Sequence, residues 1–207
     1  FKVGQTFGEN LACVDSASKK NVVSAINGVC PSGYEKLYPL LGLAGHNGFD
    51  VAAYNGQPVY AAQDGIVEEV STEVERGLGL GIITEEQFET LHGLGYIKHR
   101  YWHFKGLNVT KGQRVRIGDL IGWADNTGYS AGDHLNFEIK VVSKNTDGTY
   151  YNKNLNNGYF GAIDPGPYFT GSYANNVRIA LDNLVLAVKK LTDLFSFFLK
   201  GRSNKVN

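Results

Sequence analysis

The chain has 207 residues, with 20 Lys+Arg against 20 Asp+Glu and a formal net charge of +0. Hydrophobic residues at 43% and charged residues at 19% exclude a disordered chain, and the length suits one domain with a small appendage. The balanced charge argues against a basic face for nucleic acid and against general adhesion to anionic lipid. Gly 26 with Tyr 12 and Phe 11 suggests many tight turns between strands. Met 0 leaves no initiator, so the chain reads as a processed product or a fragment of something longer.

Taken in order, residues 1–43 form a mixed segment, in which 21–26 reads as a short strand or a helical turn. Cys13 and Cys30 are the only cysteines. They suit one disulfide closing a surface loop, or two small buried apolar residues. From 45 to 168 the texture is all β. Short apolar or alternating runs at 59–62, 65–70, 80–84, 96–104, 114–117, 120–124 and 134–142 are cut by Gly-containing turns. The stretch 84–94 reads as a short helix or a hairpin excursion. Gly77-Leu-Gly-Leu-Gly lacks the spacing and the following Lys-Ser/Thr of a phosphate loop, and reads as the entry to a strand.

After 170 the period changes. Val177, Leu181, Leu184, Val188, Leu191, Phe195 and Phe198 recur at alternating steps of four and three, a heptad seam on an amphipathic helix. This helix packs on its own domain or serves self-association or partner docking. The most apolar window, 181–199, carries Asp182, Lys189, Lys190 and Asp193, which makes it a poor membrane span. No stretch reads as a signal peptide.

The chemistry-bearing residues fall in three places. His46 and Asp50 stand four apart in a Gly-containing bend, an imidazole and a carboxylate that suit Zn²⁺. In the strand expected at 134–142, His134, Asn136 and Glu138 share one face, while Leu135, Phe137 and Ile139 fill the core. On the strand at 96–104 the same alternation places His99, Tyr101 and His103 on one face.

From about 44 to 169 these motifs closely resemble the lysostaphin-type zinc metalloendopeptidases, a peptidoglycan-cleaving family. Gly-His-Asn-Gly-Phe-Asp-Val at 45–51 resembles the HxxxD ligand motif. Tyr-Trp-His-Phe at 101–104 resembles Tyr-x-His-Leu, and the run 126–138, ending His-Leu-Asn-Phe-Glu, resembles the closing motif. The runs 59–67, 109–122 and 163–168 resemble the hairpins and end of that domain.

The resemblance implies a mainly β fold, an antiparallel two-sheet β-sandwich, followed here by the C-terminal amphipathic helix. The domains are then 1–43, 44–170 and 171–207. It implies Zn²⁺ as cofactor, with His46 and Asp50 as ligands and His103 and His134 as catalytic residues that take a proton from water or hydrogen-bond the oxyanion. Asn136 stands where the family has its third ligand histidine. An amide oxygen is a poor substitute for imidazole on zinc, so the resemblance implies a peptidase that is weakened or inactivated, or a pseudoenzyme that keeps the groove for binding and assembles through 177–198. His99 carries little weight as a substitute ligand, and Glu138 reads as a structural acceptor. Tyr54, Tyr101 and Tyr129 are candidate groove residues. The implied partner is a peptidoglycan peptide and the implied location extracellular or the cell envelope, or a virion or secretion apparatus.

Overall fold

The computed structural model describes residues 3–169. The chain divides into two units, Phe1–Pro165 and Gly166–Asn207. The first contains β1 (Val3–Gln5), β2 (Ala12–Asp15), β3 (Val22–Ser24), β4 (Tyr34–Lys36), one helical turn α1 (Leu37–Leu40), β5 (Phe49–Ala52), β6 (Pro58–Tyr60) and β7 (Gly65–Glu73). It continues with β8 (Gly77–Ile83), β9 (Tyr96–Leu107), β10 (Arg114–Val115), β11 (Leu120–Ala124), β12 (His134–Lys144), β13 (Tyr150–Asn152) and β14 (Ala162–Ile163). A second helical turn, α2 (Gly166–Phe169), belongs to the other unit. The heptad run at 177–198 lies outside the described residues.

Every one of the seven β runs expected between 59 and 142 becomes a strand. The stretch 84–94 is a loop closed by a bridge between Phe88 and Gly95, and 21–26 contains β3. All described pairings are antiparallel. The expected division into two sandwich sheets takes a different form. Hydrogen bonds join eleven strands in one network, with the path β1-β5-β12-β9-β8-β7-β10, while β3-β2-β4 forms a separate three-stranded sheet. The joint is β9, whose 12 residues are long enough to pair with two strands in succession along one edge. Tyr96 to Trp102 pair with β12, and Phe104 to Leu107 pair with β11.

Alternation explains which residues are inside. Leu80, Ile82, Tyr101, Phe104, Ile121, Phe137, Ile139 and Val141 are buried in the core. On β8 the leucines face that core and the intervening glycines face the other way. On β12 the intervening Asn136, Glu138 and Lys140 are buried too, so both faces of that strand are covered. A buried charge needs a partner, and here they form a ladder. Arg100 reaches Glu138 at 3.1 Å and Glu69 at 2.9 Å, Lys98 contacts Glu68 and Glu69 at 2.6 Å, and Lys140 donates to the Phe160 carbonyl at 2.9 Å.

Cys13 and Cys30 are joined in a disulfide. Three strands of three or four residues carry little core of their own, so the cross-link supplies what burial does not. Lys36 adds hydrogen bonds to the carbonyls of Asn10 and Gly28. Closing a loop with a sequence separation of 17 is worth about 3 kcal/mol. Urea unfolding of oxidised and reduced chains is therefore expected to show a drop of about that size on reduction. Coincident curves would show that the small sheet holds without its bond.

Candidate active site

One cavity of about 920 Å³ brings together residues from β5, β9, β12 and the loops before β5 and β12. At its centre stand His46, Asp50, His134 and Asn136. His46 precedes β5 in a loop pinned by two backbone bonds: Gly8 N–H to the His46 carbonyl and His46 N–H to the Glu9 carbonyl, both 2.8 Å. Its ring packs on Tyr38 of α1 at 5.5 Å and is 1% exposed. Asp50 on β5 pairs in register with Asn136 on β12, and Ala52 with His134, which sets the four side chains side by side. Asp50 Oδ1 lies 3.2 Å from His46 Nε2 and 3.3 Å from His134 Nε2.

Asn136 Nδ2 donates to His46 Nε2 at 2.5 Å and to Asp50 Oδ1 at 3.2 Å. Turning the amide over would set its oxygen against the Asp50 oxygen, acceptor to acceptor. Asn136 Oδ1 and His46 Nδ1 are buried without a hydrogen-bond partner. Burial alone would raise the Asp50 pKa. The hydrogen bond from His134, and its charge, overcome it and hold the carboxyl well below its usual range. Burial likewise opposes a charged His134, but Asp50 outweighs it and raises that imidazole. The Gly132 carbonyl, 2.8 Å from His134 Nδ1, fixes the ring from behind.

His103 reaches the same cavity by a different route. Strict alternation would place it with His99 and Tyr101. The registers show Gly79 opposite Trp102 and Leu78 opposite Phe104, so His103 is the extra residue of a β-bulge. Its φ is +68°, a left-handed value rare outside glycine. The bulge turns the ring to the cavity side, with its centroid 4.6 Å from that of His134. Burial first, and the charge of His134 second, push its pKa down to about 4.

The sequence-derived candidates thus separate. His46, Asp50, His103, His134 and Asn136 come together. Tyr129 lines the cavity. Tyr101 does not: it is 1% exposed on the core face, its hydroxyl accepts the Ala62 N–H at 2.9 Å, and its ring packs on Phe137. Tyr54 is 65% exposed and outside the cavity lining. His99 packs on Phe137 at 5.0 Å, on the face opposite the cavity, so it is no substitute ligand. Glu138 is the buried partner of Arg100 and Lys140, which hold its carboxyl low against burial. Sequence reasoning missed Tyr38, which backs His46, and Thr127, whose carbonyl receives His103.

The profile described as Peptidase family M23 matches residues 44–152, more than half of the chain and all of the cavity's central residues. The chain belongs to peptidase family M23. Among its M23 relatives, the glycyl-glycine endopeptidase ALE-1 of Staphylococcus capitis is 38% identical over 152 residues, covering 70% of this chain and 35% of that protein. The peptidoglycan DD-endopeptidase ShyA of Vibrio cholerae is 38% identical over 99 residues, covering 48% of this chain and 21% of that one. The chain therefore spans about a third or less of these relatives' lengths. The catalytic domain of lysostaphin from Staphylococcus simulans aligns with a TM-score of 0.47 at 27% identity, over 61% of this chain and 80% of that one.

The zinc implied by the motifs does not fit this M23 centre. A catalytic zinc site takes three protein ligands and keeps one position open. Among the described residues no group of three or more His, Cys, Asp or Glu is placed to hold a metal ion. The two donors present, His46 Nε2 and Asp50 Oδ1, are already bridged by the Asn136 amide. A neutral N–H donor thus engages both of the lone pairs that a cation would need.

Proposed function

We propose that this M23 domain binds peptide cross-links of bacterial peptidoglycan in the cavity over Asp50 and His134, and that its hydrolytic activity is weakened by Asn136. The Asn136 amide, donating to both His46 and Asp50, carries this reading. The remaining polar groups are suited to binding and orienting a peptide. Both nitrogens of His134 are engaged, Nδ1 by the Gly132 carbonyl at 2.8 Å and Nε2 by Asp50 Oδ1 at 3.3 Å, so the ring orients the Asp50 carboxylate, which can accept a peptide N–H. His103 is a neutral ring that can accept a proton. The Lys98–Arg100–Lys140 ladder is matched by Glu68, Glu69 and Glu138, so the ladder carries no net excess of either charge. Recognition then rests on shape and hydrogen bonding, not on long-range attraction.

The same amide also supports a second reading, a purely non-catalytic wall-binding module. Names of the relatives and the disulfide favour an extracellular or envelope location for either. Co-sedimentation of the chain with purified insoluble peptidoglycan tests what both share. Saturable pull-down, competed by soluble cross-linked wall peptides, is the expected result. A chain that stays in the supernatant at every peptidoglycan concentration would remove the wall-binding function. Any slow release of new amino termini by the bound wild-type chain, above a His134→Ala control, separates the weakened enzyme from the non-catalytic module.

A further inference from the structure

Thr127 does not line the cavity, yet it holds a residue that does. His103 Nδ1 lies 2.5 Å from the Thr127 carbonyl oxygen. A carbonyl only accepts, so Nδ1 carries the proton and, in the neutral ring, Nε2 is left with a lone pair. The carbonyl is itself held in place. Thr127 Oγ1 accepts the Leu78 N–H at 3.1 Å and donates to the Phe104 carbonyl at 2.9 Å. It thus ties the loop to the start of β8 and to β9 just past the bulge. Tyr129 N–H adds a bond to the Glu75 carbonyl at 2.7 Å, from the turn between β7 and β8.

Two glycines make this clamp possible. Gly77 and Gly128 have φ of +80° and +77°, and a Cβ on either would collide with backbone, of Thr127 in the first case and of Arg76 and Gly77 in the second. A left-handed non-glycine residue such as His103 is strained, and persists only where the surroundings over-determine it. The surroundings here are the Thr127 carbonyl on its ring and the Asp125 N–H on its own carbonyl at 2.8 Å.

We propose that Thr127 is a positioning residue that fixes His103 as its Nδ1–H tautomer, with Nε2 presented to the cavity as a proton acceptor. The tautomer stands on the hydrogen bonds alone; its use in peptide hydrolysis rests on the reading of the previous section. Loss of Oγ1 frees the carbonyl to swing, and the ring loses its preference.

Long-range proton–nitrogen correlation spectra of the full chain read the tautomer directly. The wild-type chain is expected to show a protonated Nδ1 and an unprotonated Nε2 at His103. Thr127→Ser, which keeps the hydroxyl, is expected to retain that pattern, and Thr127→Val to give a mixture. A wild-type Nε2–H tautomer overturns the proposal before any variant is made, and so does a Thr127→Val chain with the wild-type pattern. In an Asn136→His background that hydrolyses peptidoglycan, Thr127→Val should lower kcat about 10²-fold with KM little changed, and Thr127→Ser should restore it. If Asn136→His shows no hydrolysis, the peptidase reading fails while the tautomer result still decides the role of Thr127.

Discussion

Asn136→His is expected to convert this chain into a zinc-binding peptidoglycan hydrolase. His46 Nε2 and Asp50 Oδ1 lie 3.2 Å apart, and the third side chain beside them offers a donor N–H where a metal needs a lone pair. Imidazole at 136 would remove both acceptor-blocking bonds and add a nitrogen ligand of the type zinc favours. Loss of a mere supporting partner around a metal costs 10–100-fold in affinity. Restoring a direct ligand should therefore gain at least about 100-fold. After dialysis against a buffered zinc solution, the variant should retain about one equivalent per chain and the wild type almost none. Hydrolysis of cross-linked wall peptides should appear with it. Asn136→Ala is the informative control: it removes the bridging amide without adding a ligand, and should gain neither metal nor activity. A histidine variant that takes up no zinc would show that His46 and Asp50 do not form a metal site in this chain, whatever their spacing.

The strands that carry this centre are legible in the sequence because nothing disturbs their parity. On β12 the alternation from His134 to Val142 holds without a bulge, so His134, Asn136 and Glu138 fall on one face and Phe137 and Ile139 on the other. On β9 parity fails after Trp102. One inserted residue moves His103 to the cavity face, away from His99 and Tyr101, and nothing in Tyr-Trp-His-Phe announces the insertion. The bulge is set by distant groups, chiefly the loop at 125–129, and distant pairing has no local signature. Thr127 is obscure for a related reason. It acts on His103 through a backbone carbonyl, which every residue type possesses. The small sheet β3-β2-β4 is hard to read because its strands are three or four residues long, too short for a period to show. The motif resemblance supplied what periodicity could not, namely which of five histidines belong together.

The Gly77-Leu-Gly-Leu-Gly run acquires a purpose from this geometry, and a second strong prediction. Across the sheet, Ser71, Gly79, Trp102, Asn136 and Asp50 are successive cross-strand neighbours. The Trp102 indole lies over Gly79 so closely that a Cβ there would overlap its six-membered ring. The indole is 5% exposed, and the Arg100 guanidinium stacks 4.5 Å from its centroid. Trp102 immediately precedes His103 at the bulge, so displacing the indole disturbs the backbone that turns His103 to the cavity. Gly79→Ala must therefore either strain the sheet, at about 1–3 kcal/mol, or expel the indole and forfeit its burial, at about 3–5 kcal/mol. Gly81 provides the matched comparison. Its Cβ would meet the terminal carbon of the Lys98 side chain, a flexible end that has to shift within its ion pairs to Glu68 and Glu69 and not a ring that has to leave. Both substitutions gain the same strand propensity from losing a glycine, so that contribution cancels between them. Urea unfolding should show Gly79→Ala destabilised by about 3 kcal/mol and Gly81→Ala by under about 1 kcal/mol. Only the first should shift the tryptophan emission, to which Trp102 and Trp123 alone contribute. Shortening the ring in Gly79→Ala/Trp102→Leu should recover part of the loss, because the clash and not the missing glycine is its cause. Equal costs at 79 and 81 would mean that the indole does not need the empty face of β8. The alternating glycines would then be a matter of backbone alone.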